Sequence, residues 1–239
     1  HGEPDRGGWL TPATPSDIEV HLGPAAMGTD AAAYASLVFG TGSINPCIDD
    51  IALFTLDRAL PIGPFPLRTR RPVWVGETVS VIGFGKGTHA NSPFLRFRRD
   101  GVSVLLVDPD SSLDGITIAA PRTFLTSAGP CLGDNGAPAV DAESGAIVGV
   151  FSRGAQADCE TSDVGRVFTK VAPYASLVRE TFAAMGEEPI EEAGSTSEEA
   201  PKAGGGRNVS IWRSAGTDVS VLLLIMAGAL TRQQRRYRV

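Results

Sequence analysis

The chain of 239 residues is poor in metal-ligand chemistry. Its three histidines (His1, His21, His89) and three cysteines show no ligand spacing, so no metal site is expected. Nothing suggests a nucleotide site either, and no cofactor is implied. It lacks a basic excess: 21 Lys and Arg face 27 Asp and Glu, a net charge of −6. A general nucleic-acid binder needs a basic face, and that class is excluded. Long hydrophobic runs are also absent, since the longest, Val219 to Leu230, would span only about 18 Å as a helix against a bilayer core of ~30 Å. Turn formers are plentiful. With 28 Gly, 17 Pro and 42% hydrophobic residues, the body reads as a globular chain of many short strands.

Ser36–Phe39, Ile51–Phe54, Thr78–Phe84, Phe94–Phe97 and Val102–Val107 are β-branched or aromatic runs punctuated by Gly, Pro and Asn-Ser. Their spacing suits a barrel or sandwich. Pro61 to Pro72 is too proline-rich for a central strand. Tyr174, Leu177, Val178, Phe182 and Met185 fall on one helical face behind Pro173, which predicts an amphipathic helix. Beyond Gly186 the composition turns to Glu, Gly, Ser and Ala, so residues 187–217 read as a flexible acidic linker. The short apolar run and an arginine cluster follow in 218–239.

The most informative stretch is Gly129-Pro130-Cys131-Leu132-Gly133-Asp134-Asn135-Gly136-Ala137-Pro138. Its glycines let the backbone turn tightly and aim N–H groups into a common space, as an oxyanion hole requires. Taken alone, Gly-Asp-Asn-Gly is also an ordinary hairpin turn.

Together with three further segments this loop resembles the trypsin-like (chymotrypsin-fold) serine peptidase family. Cys131–Pro138 is similar to the family's Cys-x-Gly-Asp-Ser-Gly-Gly-Pro. Asp50-Ile51-Ala52-Leu53-Phe54 looks like the segment of the catalytic aspartate, and Gly76 to Gly85 like the strand opening the second barrel. Ile147 to Gly154 looks like the substrate-binding strand, and Val167-Phe168-Thr169-Lys170-Val171 stands before the terminal helix. The resemblance covers roughly residues 1 to 183 and implies an all-β fold of two six-stranded-type β-barrels, the first truncated, with a C-terminal helix. On this reading residues 1–66 are the remainder of the first barrel and 67–186 the second barrel plus helix.

The resemblance also assigns roles. His1 matches the general base by position and Asp50 the residue that orients it; the oxyanion donors are the N–H groups of Gly133 and Asn135. The nucleophile position holds Asn135 instead of serine, which implies an inactive homologue binding a polypeptide substrate or protein partner. Alternatives are an active peptidase with a displaced nucleophile, Ser127 or Ser152, and a surface adhesion module. The pocket would be lined by Gly129, Ser152, Arg153, Gly154 and Arg166. Gly129 stands where trypsins carry an aspartate, so tryptic specificity is not expected. Arg166, or Gly165 with a one-residue shift, replaces a pocket glycine, and as arginine it would narrow the pocket or favour acidic groups. Cys131 and Cys159 match a bridged pair, pointing to an oxidising, extracytoplasmic compartment, and Cys47 has no family partner in the chain. Everything upstream of His1 would be missing, including the N-terminal amine that pairs with Asp134, so this aspartate is expected to turn elsewhere or take a proton. Residues 219–239 resemble bacterial C-terminal sorting or anchor tails, a possible membrane association; the other reading is a disordered amphipathic end.

Overall fold

The computed structural model describes residues 14–25, 30–42, 49–85, 95–108, 112–113, 116–117, 122–131, 133–154 and 166–193. The fold is mostly β. A small antiparallel sheet comes first, formed by β1 (Glu19–Val20), β2 (Ala33–Gly40) and β3 (Ala52–Leu56) in the order β1-β2-β3. β3 is a nearly unbroken apolar run because both of its faces are covered. Phe54 and Leu56 point to one side, into a cluster with Val20, Ala33 and Leu60. Leu53 alternates to the other side and packs against the second unit.

That second unit is a closed six-stranded barrel. It is built from β4 (Thr78–Gly83), β5 (Phe97–Val107), β8 (Thr123–Thr126), β9 (Pro138–Asp141), β10 (Ile147–Gly154) and β11 (Arg166–Lys170), ordered β4-β5-β8-β11-β10-β9. A separate two-residue pair, β6 (Ser112–Leu113) and β7 (Ile116–Thr117), lies between β5 and β8 in the chain. Closure pairs each barrel strand on both sides over at least part of its length, which removes the long free edges that invite aggregation. Inside, Val79, Val81, Val102 and Val104 point inward at period 2 around Phe124, which stacks on Phe168 with centroids 5.1 Å apart. Gly149 is required there, since a Cβ would overlap the Phe124 ring closer than real Cβ contacts come.

Helix α1 (Ala175–Ala183) buries Val178 and Phe182. These side chains meet Ile51 and Leu53 from the small sheet and Val140 and Ile147 from the barrel in one apolar cluster. Burial of large apolar side chains contributes about 1.5–3 kcal/mol each. This shared core joins the two sheets.

One expectation is corrected here. Residues 187–193 are not the start of a solvated acidic linker. Leu67 bridges in parallel both Ile147 and Glu191, its N–H donating to the Ile190 carbonyl (2.8 Å) and its carbonyl accepting from the Glu192 N–H (2.8 Å). The acidic composition misled because most of its counter-charges lie far away in sequence: Arg68 and Arg71 hold Glu192, and Arg70, with the nearer Arg179, holds Glu191. Residues 194–239, including the apolar run, lie outside the described residues. Among the described residues no helix is long and apolar enough to cross a membrane.

Candidate active site

The loop 129–138 leaves β8 and returns into β9, folding back on β10. Gly133 and Gly136 adopt φ of 99° and 94°, conformations that any larger side chain would strain. The Ala137 N–H donates to the Asp134 carbonyl (2.8 Å), the closing bond of a tight turn, and the Gly136 N–H donates to the Phe151 carbonyl (2.9 Å). Asn135 is thereby carried out of the turn toward β10.

The register of β10 against β11 moves from Phe151–Phe168 to Arg153–Val167, so Ser152 is the extra residue of a bulge. Freed from that ladder, its carbonyl accepts from Asn135 Nδ2 (2.9 Å), while its Oγ donates to Asp50 Oδ2 (2.6 Å). Asp50, Ser152 and Asn135 thus form one chain of hydrogen bonds running from the small sheet to the barrel. His1, Cys47 and Cys159 lie outside the described residues. Ser127 is turned away from this group; its Oγ accepts from the Ser103 N–H (3.2 Å) on β5.

Asp134 is buried, 3% exposed, and its carboxylate is satisfied by backbone. Oδ1 accepts from the Gly85 N–H (2.6 Å) and Oδ2 from the Cys131 N–H (2.8 Å). Burial raises its pKa, and the N–H groups of Cys131, Gly85 and Phe84 oppose that rise. Of the two expected fates, the carboxylate has turned to the backbone while its affinity for a proton has also grown. No sequence signal named these donors, because every non-proline residue has an N–H.

Arg166 is 1% exposed, and its Nε donates to the Pro130 carbonyl (3.1 Å). A Cβ added to Gly154 would lie 3.1 Å from its Cδ and 3.3 Å from the Phe151 ring. The arginine therefore occupies the space between Pro130 and Gly154; Gly129 and Ser152 are themselves buried and Arg153 is half-buried.

Sequence reading missed the brace behind Asp50. Its neighbour Asp49 accepts from Tyr174 Oη (2.8 Å) and from Arg122 Nη1 (2.7 Å), with the Arg122 guanidinium over the Tyr174 ring. Burial, then the bond to Asp49, pushes the Tyr174 phenol up to about 12. The doubled Asp49-Asp50 was the available signal. No cluster of His, Cys, Asp and Glu that could hold a metal occurs among the described residues.

Among solved structures the chain is similar to neuropsin, a serine protease expressed in the limbic system of mouse brain, at 21% identity. The alignment covers 62% of this chain and 71% of that one, with a TM-score of 0.48. No curated protein matches. The family model described as Trypsin matches residues 20–178, more than half of the sequence, from the end of β1 into α1 and including the Asp50, Ser152 and Asn135 group. The chain belongs to the trypsin family.

Proposed function

We propose that this trypsin-family domain is a catalytically inactive homologue that binds a polypeptide or a protein partner around Asn135 and Ser152. One observation carries the reading: at the nucleophile position of the family stands Asn135, whose amide is committed to the Ser152 carbonyl. An amide has no hydroxyl for a base to deprotonate, so no acyl-enzyme can form there. Asp50 is the orienting residue in this reading, His1 holds the base position, and the N–H groups of Gly133 and Asn135 are the oxyanion donors. Such a site without a nucleophile retains only about 10³–10⁴-fold over water in related systems.

The pocket of Gly129, Ser152, Arg153, Gly154 and Arg166 would then be shallow, since Arg166 fills its depth. The disulfide bonding of Cys131 supports the pairing with Cys159 and an extracytoplasmic location. Residues 1–66 form the remainder of the first barrel in this assignment, 67–186 the second barrel with its helix, and 219–239 a tail that associates with membrane. The linker shortens to 194–217.

The test is labelling with a fluorophosphonate probe. The unmodified chain should give no adduct. Stoichiometric labelling would overturn the inactive reading, and an adduct mapped to Ser152 or Ser127 would establish a displaced nucleophile.

A further inference from the structure

The bulge at Ser152 has a consequence for whatever binds there. β10 is paired with β9 only as far as Val150, and Phe151 is held by the Gly136 N–H and the Ala137 carbonyl. Beyond that point the strand continues through Ser152, Arg153 and Gly154, where its strand pairing among the described residues is with β11. An extended peptide laid along such a strand end recruits its main-chain groups, the Ser152 carbonyl first among them, because the bulge has already released this oxygen from β11. That oxygen is not waiting. Asn135 Nδ2 already donates to it at 2.9 Å.

We infer that Asn135 is a built-in competitor for the peptide edge of β10: its amide mimics the N–H of a bound peptide at the Ser152 carbonyl. The proposal rests on the polypeptide-binding reading above and deepens it, since it names the side chain that regulates access to that site. Three observations support it. Asn135 is exposed, so its side chain can swing away without opening the core. The turn that carries it is fixed by the Gly136 and Ala137 backbone bonds, so removing the side chain leaves the loop in place. Ser152 is buried, and a buried carbonyl that loses its donor gains affinity for a replacement. An incoming peptide therefore exchanges one hydrogen bond for another at this point and gains little from it. The residue at the nucleophile position sets binding strength instead of chemistry.

The experiment uses the full chain and the Asn135→Ala variant, both probed against an array of random dodecapeptides, with the best-bound peptide then titrated against each protein. The variant should bind about three- to tenfold more tightly, the effect of one intramolecular hydrogen bond. A second readout is independent of affinity. The Asn135 side-chain amide protons of the unmodified protein should show a hydrogen-bonded shift in NMR spectra and lose it when the peptide saturates the site. Equal affinities, or amide protons unmoved at saturation, overturn the competitor role and leave the polypeptide reading standing. An array on which neither protein binds any peptide overturns the polypeptide reading and the competitor role with it.

Discussion

Asp134 shows how a single side chain is held by groups that sequence does not display. Its carboxylate sits against Gly83, Phe84 and Gly85 at the end of β4, with Gly85 donating its N–H. Gly83 has no positive φ; it is glycine because a Cβ there would overlap the Asp134 carboxylate. Gly83→Ala should therefore expel the carboxylate from its N–H groups and destabilise the protein by about 2–4 kcal/mol, a combination of overpacking and lost buried hydrogen bonds. Denaturant melts check this, and a change under about 0.5 kcal/mol, the scale of a surface substitution, would refute the packing argument. The Gly-Glu…Gly-Phe-Gly spacing was legible as a strand opening the barrel, and Cys131–Pro138 as a turn. That these two glycine-rich segments meet around one carboxylate was not, because sequence gives the glycines without the contact that demands them. Asn135 was legible as part of the Gly-Asp-Asn-Gly turn, but the bulge that turns the Ser152 carbonyl toward it depends on the register of β10 with β11, and a one-residue slip leaves no mark in composition.

At the scale of elements, the crossover 66–71 is held by a buried charge network. The Arg68 guanidinium, 1% exposed, pairs with Glu77, with Asp141 on β9 (3.2 Å) and with Glu192 (2.8 Å), and lies over Trp74 with Arg71 beside it. Two cations thus face three carboxylates, and the pKa shifts divide accordingly. Burial pushes Glu192 up, but Arg68, Arg71 and Ser144 outweigh it and hold the carboxyl down to about 2. Burial and a bond shared with Asp141 raise Glu77 despite Arg68. The signs are opposite. The Glu192 contribution is fully present above its unfolded pKa of roughly 4.5 and is lost as pH falls through about 2. The Glu77 contribution is present at low pH and is lost as pH rises above roughly 4.5. Stability from this network should therefore peak in mildly acid solution. Glu77→Gln, which leaves two cations and two anions, should flatten the decline above roughly pH 4.5. Denaturant titrations across that range measure it; an unchanged slope would show that Glu77 carries no proton into the fold. The acidic stretch after α1 read as linker because charge runs usually are. Its partners Arg68 and Arg71 lie more than a hundred residues away, at |i−j| of 124 and 121.

Across the whole molecule, β4 and β5 were legible because β-branched and aromatic runs report burial directly, β10 and β11 through the family resemblance, and α1 because its apolar face repeats at helical spacing, while β8 and β9 were not named from the sequence. The way the parts are joined was less legible. Ile51 and Leu53 from the small sheet, Val140 and Ile147 from the barrel and Phe182 from α1 share one cluster, and Leu67 lies in it between Ile147 and Glu191. Residues 187–193 therefore belong to the folded body, which gives a paired truncation its meaning. A chain ending at 193 keeps every bond of the strap. A chain ending at 186 removes the two backbone bonds to Leu67, both guanidinium bonds from Arg68 to Glu192 (2.8 and 2.9 Å) and both from Arg71 (3.0 and 2.6 Å). Breaking a buried pair by removing one partner costs about 3–5 kcal/mol. For a body of this size that corresponds to a fall in Tm of roughly 6–20 °C. Thermal melts of the two truncations should differ by that amount, with the 1–193 chain close to the full-length protein. If the 1–186 chain melts with the other two, Arg68 and Arg71 are satisfied by Glu77, Asp141 and solvent alone, and the strap contributes nothing to the body it crosses.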